Sequence, residues 1–220
     1  MSVPDWFAII DATWPAAAYH KVGDWIIREG QGGGKRVSAA SGSGDIGQAE
    51  DAQRDLGQDL LFMITPDDMA LDTELDTRGY VIIDPVVVLA KALPKPGLGT
   101  PSDKPTEDTL QIWEAGGIGA ARRAVMDRAI GPKTIIQTDG GCGFVACHDD
   151  VAMIHALEVA EVQRGQGIGA KLEQQARAWA PTRKIAALTV KANAASRGLF
   201  KKAGYCEVSR YHYRIKRPAA

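Results

Sequence analysis

The sequence predicts a mixed α+β fold, and three observations lead there. Apolar residues make up 45% of the 220 and charged residues 24%, the balance of an ordinary globular chain. Short period-two runs alternate with stretches of helical periodicity along the whole length. Residues 134–159 read as an antiparallel meander across tight turns, whereas the later strands are separated by helices.

The same composition argues against a disordered tail, a collagen-like fibre and a coiled coil. No apolar run approaches the roughly 18 residues of a membrane span; the longest, around Val86 to Leu89, is strand-sized. Met1 to Asp11 carries two aspartates and no Lys or Arg, unlike a signal peptide. Three cysteines, Cys142, Cys147 and Cys206, include no CxxC pair. Neither a disulfide framework nor a metal site is expected, and a reducing cytoplasm is the expected location.

Charge divides the chain. Residues 1–105 hold 9 Lys/Arg against 16 Asp/Glu, and residues 106–220 hold 17 against 11. A polyanionic ligand on the second half, or attraction between the halves, would account for this. The switch falls at Pro94–Pro105, with four prolines and two glycines in twelve residues. That composition excludes a helix interior or a central strand. The expected organisation is therefore an N-terminal half at 1–93, a linker at 94–105 and a second domain at 106–220.

In the second half, Thr106 to Ile130 reads as helical with a break at Gly116-Gly117. Strands follow at Thr134 to Thr138, Phe144 to His148 and Val151 to Val159, the first two joined by an Asp139-Gly140-Gly141 turn. The next helix places Ile168, Leu172, Ala176 and Trp179 on one face. Ile185 to Val190 is a strand. Asn193 caps a helix that stops at Gly204, and Tyr205 to Ile215 is the last strand.

In the first half, Trp25 to Arg28 and Arg36 to Ala40 read as strands and Ile46 to Leu56 as a helix. Leu60 to Thr65 is a strand, Asp68 to Thr77 a helix and Tyr80 to Leu89 a strand. The run Gln31-Gly-Gly-Gly-Lys-Arg36 resembles a phosphate loop. Glu29 and Arg36 stand where that motif needs Gly and Ser/Thr, so a hairpin loop is the expectation. Leu75-Asp-Thr-Arg-Gly79-Tyr80 lies 125 residues before Phe200-Lys-Lys-Ala-Gly204-Tyr205. Gly42-Ser-Gly44-Asp-Ile-Gly47 echoes Gly165-Gln-Gly167-Ile168-Gly169. These repeats read as a diverged internal duplication, with chance recurrence of strand-helix-Gly-Tyr as the alternative.

The most informative segment is Leu157 to Leu172, a strand entering a glycine-rich turn that opens a helix. Glycine permits close ligand approach and positive φ. The first N–H groups of a helix lack internal partners and lie at the positive end of its dipole. Such a turn seats phosphate. Gly165-x-Gly167-x-x-Ala170 also fits the dinucleotide fingerprint, which needs an acidic residue about 20 positions on. No Asp or Glu occurs between Glu173 and Glu207, which argues against a nicotinamide or flavin site.

Arg164-x-x-Gly167-x-Gly169 resembles the acyl-CoA loop, R/Q-x-x-G-x-G/A, of the GNAT N-acetyltransferases. Val159-Ala-Glu-Val-Gln-Arg164 resembles the approach to that loop, with Glu161 in place of proline. Asn193-x-x-Ser196-x-x-Leu199-Phe200-Lys-Lys-Ala-Gly204-Tyr205 resembles the family's later motif. The likeness spans about residues 106–216; the first half resembles, more loosely, the degenerate halves of tandem GNAT proteins. The resemblance implies a GNAT-like acyl-CoA N-acyltransferase fold with two GNAT-like halves, and acetyl-CoA as cosubstrate. CoA would enter between the strands ending at Val159 and Val190. Backbone groups from Arg164, Gly165, Gln166, Gly167, Ile168, Gly169 and Ala170 would hold the diphosphate. Those near Leu157 and Val159 would bond pantetheine and the acetyl carbonyl. Asn193 would bond CoA through its amide, Phe200 would pack on pantetheine, and Lys171, Arg197 and Lys201 would screen the 3′-phosphate.

The chemistry implied is acetyl transfer to an amine, which attacks only as the free base and so needs a proton acceptor and N–H donors for the oxyanion. The chain departs from the family pattern at both usual proton carriers: Phe200 replaces a tyrosine and Leu188-Thr189-Val190 lacks a glutamate. His155, Glu158 and Tyr205 are the substitute candidates, with Tyr211 and Tyr213 on the same last strand as Tyr205. His155 and Glu158, three apart, should face opposite sides of a regular strand. Cys142 and Cys147 read as packed thiols. An N-acetyltransferase acting on a small molecule or peptide amine leads, as a monomer or homodimer without membrane or nucleic-acid partners; the pI near 6.4 argues against nucleic acid. A non-catalytic acyl-CoA-binding module is the alternative, motivated by the missing Tyr and Glu.

Overall fold

The computed structural model describes residues 4–216. The ends of the two expected segments, 1–3 and 217–220, lie outside it. The elements run α1 Trp6–Thr13, β1 Ala18–Val22, β2 Trp25–Glu29, α2 Ile46–Asp55, β3 Leu61–Ile64, α3 Met69–Thr77 and β4 Val81–Ala92. After the proline-rich segment come α4 Glu107–Ala115, α5 Ala120–Arg128, β5 Lys133–Thr138, β6 Gly141–His148, β7 Val151–Val159, α6 Ile168–Trp179, β8 Lys184–Val190, α7 Ala194–Lys202 and β9 Cys206–Ile215. The fold is α+β, as expected.

Seven strands form one mixed sheet in the order β3-β9-β4-β8-β7-β6-β5, and β1 pairs with β2 apart from it. Residues before and after the linker therefore share a sheet. On one face, α6 lays Ile168, Leu172, Ala176 and Trp179 against Val145, Ile154, Ile185 and Ala187. On the other, α4 and α5 bring Ile112, Trp113, Val125 and Met126 onto Cys142, Phe144 and Ala146. Helix α1 adds Trp6, Ile9 and Ile10 beside Val88, Met153 and Tyr211. Patterning had not marked α1 or β1; Asp5 starts α1 by accepting from the N–H groups of Phe7 and Ala8.

The expected strand at Arg36 to Ala40 is absent. Lys35–Val37 forms a single 3-10 turn, and Ala40 and Ser41 make only isolated bridges, to Phe62 and Ile26. The Gln31–Arg36 run is consequently not a hairpin loop. It leads from β2 into that turn. The proline-rich segment is pinned: Gly97 N–H donates to Ala180 O at 2.6 Å, and Ile135 N–H to Ser102 O at 2.7 Å.

The repeat read in the sequence recurs in the backbone of the two halves. Helix α3 ends at Gly79 (φ 81°) and α7 at Gly204 (φ 86°), a left-handed position that glycine adopts without a Cβ clash. In each turn the tyrosine N–H returns to the carbonyl five residues back, Tyr80 to Leu75 and Tyr205 to Phe200, both at 3.0 Å. The final strands then change places: β9 pairs with β3, β4 with β8, and β4 and β9 with each other. Val81 opposes Ile215 and Ala90 opposes Cys206, pairs that interchange under the 125-residue offset. Val86 opposes Tyr211, its own counterpart.

With each half completed by a strand from the other, they should unfold together. In urea, tryptophan fluorescence and far-UV circular dichroism should report one coincident transition. Two separated transitions would contradict the shared sheet.

Candidate active site

Strands β7 and β8 run parallel and pair only from Val151–Ile154 with Lys184–Ala187. Beyond that they part, although β7 continues to Val159 and β8 to Val190. The free edges open onto a cavity of about 350 Å³ lined by His155 to Glu158, Leu188 to Val190, Asn193, Ser196 and Phe200. Its inner wall comes from the first half of the chain: Trp14, Gly33 to Arg36 and Asp84, together with Tyr211 and Tyr213 of β9.

A one-residue bulge shapes this edge. Phe144 opposes His155 and Cys142 opposes Glu158, so two steps on β6 meet three on β7. Ala156 takes φ 50°, and its carbonyl accepts from Trp113 Nε1–H at 2.9 Å. A bulge resets the alternation of a strand. Hence Ile154, Leu157 and Val159 pack toward α6, while His155 and Glu158 share the opposite face. The expectation that they point apart assumed a regular strand and is corrected.

His155 is buried beside Trp14, ring centroids 5.1 Å apart. Thr13 Oγ1 donates to Ile9 O at 2.7 Å, so it accepts from His155 Nε2–H at 2.9 Å. Nδ1 accepts from Arg36 Nη1–H at 3.1 Å. The network assigns the Nε2–H tautomer. Burial first, and the Arg36 charge second, hold this imidazole well below its ordinary pKa. A neutral ring with both nitrogens engaged has no lone pair free for substrate.

Glu158 differs. It is half-buried, makes no ion pair within the described residues, and burial raises its carboxyl pKa despite Arg164 and Arg122 nearby. It lies against Gly116 at the α4–α5 junction, where an added Cβ would stand 2.8 Å from its carboxyl carbon. The sequence break at Gly116 thus makes room for this side chain.

The glycine-rich turn lies at the outer end of β7. Gly165 and Gly167 take φ 81° and 82°, and an added Cβ at either meets open space. Ala170 and Lys171 N–H both return to Gly167 O. Within the described residues, the N–H groups of Gly165, Gln166, Gly167, Ile168 and Gly169 donate to nothing. Five successive free donors at a helix N-terminus make a seat for an anion. Gly169 also lets α7 approach, its missing Cβ lying 3.1 Å from Leu199 Cδ2. Arg164 folds back to Val159 O, 3.3 Å from Nε.

Asn193 caps α7 by accepting Ser196 N–H at 3.0 Å, leaving its Nδ2 donors to the cleft it lines. Phe200 is buried at the cleft wall. Lys171, Arg197 and Lys201 are exposed.

Tyr205 is not brought to this site. It packs edge-on to Phe200 on the side facing Glu173 and Arg177, and burial raises its pKa. Tyr211 and Tyr213 do line the cleft. Cys142 and Cys147 are buried, with thiols pushed up to about 12, and are inert packing groups. Trp14 and Arg36 are site residues that sequence reading missed; the one available signal was the cationic, glycine-rich run ending at Arg36.

A sheet parted between parallel strands, with a glycine-rich turn opening a helix at the mouth, defines the acyltransferase fold of the GNAT proteins. Residues 107–205 match the family model described as "Acetyltransferase (GNAT) family". The chain accordingly carries a GNAT acetyltransferase domain. It is 25% identical over 236 aligned positions to an uncharacterized N-acetyltransferase, YobR of Bacillus subtilis, covering 94% of this chain and 95% of that one. A GCN5-related N-acetyltransferase from Kribbella flavida superposes with a TM-score of 0.63 at 13% identity, over 96% of this chain and 93% of the other. A functionally unknown conserved protein from Staphylococcus epidermidis gives 0.63 at 11% identity, over 95% and 97%.

Replacing Trp113 by Phe deletes the donor to Ala156 O and leaves a small cavity in place of the larger indole. Leaving that carbonyl unpartnered should lower unfolding stability by about 1–3 kcal/mol, with the cavity adding to it, read by urea denaturation. A wild-type midpoint would show that the bulge holds itself.

Proposed function

We propose that this protein is an acetyl-CoA-dependent N-acetyltransferase that moves the acetyl group directly to an amine. The observation that carries the reading is the row of five free N–H groups from Gly165 to Gly169 beside the parted strands. The row suits a diphosphate, and the unpaired edge of β7 near Leu157 and Val159 offers backbone donors and acceptors to an extended pantetheine arm. Asn193 Nδ2 and the Phe200 ring line the same path. Bound acetyl-CoA supplies a thioester carbonyl open to attack.

Glu158 is the proton acceptor in this reading. Its raised pKa brings it nearer that of the amine than an ordinary carboxylate's, which favours proton transfer. His155 positions Arg36 and neither takes nor gives a proton in the reaction. With Phe200 in place of a hydroxyl, the thiol leaves as thiolate, tolerable for a group of pKa about 8.5. The first half acts as a degenerate GNAT-like partner. Its own helix start is sealed by Asp45, which accepts from Gly47 N–H at 2.9 Å, and Ala40 and Ser41 bridge β3 and β2. Phe200 and the unpartnered Thr189 hydroxyl favour a second reading, an acyl-CoA-binding module without turnover.

Calorimetry should show acetyl-CoA binding, weakened by Gly167→Val, whose side chain is strained at φ 82°. No binding by the wild-type chain would end both readings; binding with no transfer or thioester hydrolysis across a broad amine panel would select the module.

Glu158→Gln should lower kcat by about 10²–10⁴-fold. In the wild type, kcat/KM should fall with decreasing pH through a midpoint above the usual carboxylate range, because the base is lost as Glu158 takes up its proton. A carboxyl whose folded pKa is raised contributes stability below its unfolded pKa that is lost as pH rises from there through the folded one. The Gln variant should therefore melt no lower than wild type at neutral pH, separating lost catalysis from lost folding.

A further inference from the structure

The cleft holds a charge that the proposed chemistry does not use. Arg36 projects from the 3-10 turn of the first half into the inner end of the cavity. Its guanidinium stacks over Trp14, 5.6 Å from the ring centroid, donates one Nη1–H to His155 and lies beside the phenols of Tyr211 and Tyr213. None of these neighbours is an anion at neutral pH. Of the other charges there, Lys35 pairs with Asp84 at 2.8 Å, and Arg122 lies near the Glu158 carboxylate without forming an ion pair. Within the described residues, Arg36 makes no ion pair. Its Nε–H is enclosed with no acceptor, and the Tyr211 hydroxyl beside it is also buried and unpartnered.

A half-buried cation without an ion pair, its Nε–H and the neighbouring Tyr211 hydroxyl enclosed and idle, is costly. Holding His155 in place would not require a guanidinium, since a neutral donor could supply that hydrogen bond. The unused edge of the group, Nε–H and Nη2–H, is the side-on fork that matches the two oxygens of a carboxylate. Trp14 and the two tyrosines give the slot flat walls, suited to a planar anion. The location excludes the cofactor's diphosphate. His155 precedes Val159 by four residues, roughly 13 Å along an extended strand, and the glycine-rich turn lies beyond Val159.

Resting on the transferase reading above, we propose that the acceptor is an amino acid or short amino-carboxylate whose carboxylate is anchored by Arg36. The bulge sets His155, the residue that holds the anchor, about two strand positions from Glu158, roughly 7 Å along the backbone, so anchor and base serve the same face of β7, as a compact molecule bearing both groups requires. A small rotation of the guanidinium brings Nε–H onto the incoming oxygen while Nη1–H stays on His155. The anchor thus binds substrate without entering the acyl-transfer step.

The test uses the full chain. Acetyl-CoA binding is measured first by calorimetry, and thiol release from acetyl-CoA is then followed with amino acids and their decarboxylated partners, such as tyrosine with tyramine and lysine with cadaverine, across the proteinogenic set. Phosphoethanolamine is included as a non-planar anionic amine. The expected result is at least a tenfold higher kcat/KM for the carboxylate member of the preferred pair, reduced in Arg36→Lys and abolished in Arg36→Met, chiefly through KM. The wild-type comparison stands even if a variant fails to fold. Equal or better transfer to the decarboxylated amines or to phosphoethanolamine would overturn the anchor, as would acetyl-CoA binding with no amino acid accepted. Failure to bind acetyl-CoA would instead remove the transferase reading and the anchor with it.

Discussion

The cleft depends on one hydrogen bond and the irregularity it fixes. Trp113, on α4, holds the carbonyl of Ala156 where β7 carries one residue too many against β6. Without the extra residue, Glu158 would turn toward α6 and Leu157 would take its place beside His155. With it, two polar side chains share one face and the apolar ones beyond Ile154 still reach the α6 core. The bulge lies just where β7 stops pairing with β8, so the edge left unpaired is also the edge whose side chains have been re-aimed.

A second constraint acts from the opposite side. Strand β8 keeps its full length of pairing with β4, from Val86–Val190 to Ala92–Lys184. It is therefore held while β7 diverges. Because β4 belongs to the first half of the chain, the opening in the second half is braced by the first. The central pairing of β4 with β9 completes the exchange. The first half's own gap is closed by Ala40 and Ser41, which leaves the β7–β8 gap as the open one of the two.

Much of this was legible in the sequence because it is local. The stripe Ile168, Leu172, Ala176, Trp179 marks α6 by spacing alone, and Asn193 and Gly204 mark both ends of α7 by capping chemistry. The glycine-rich turn could be read for the same reason: free N–H groups at a helix start follow from glycine and chain direction. Arg36 to Ala40 misled because Val37, Ala39 and Ala40 are apolar for tertiary reasons, each filling a different core, not because they alternate in a strand. The side on which Glu158 lies could not be read locally, since Trp113 sets it from 43 residues away. Tyr205 followed the motif but points to Glu173, whereas Tyr211 reaches the cleft from the far side of the strand exchange.

The cavity is built jointly: residues of β7, β8 and α7 come from the second half, and Trp14, Lys35 and Arg36 come from the first. On the proposed reading, evolution can retune what the protein accepts by drift in a short 3-10 segment while the glycine-rich turn keeps its hold on the acyl donor. Relatives sharing the glycine-rich turn need not share an acceptor, and divergence among them should gather in the less conspicuous half.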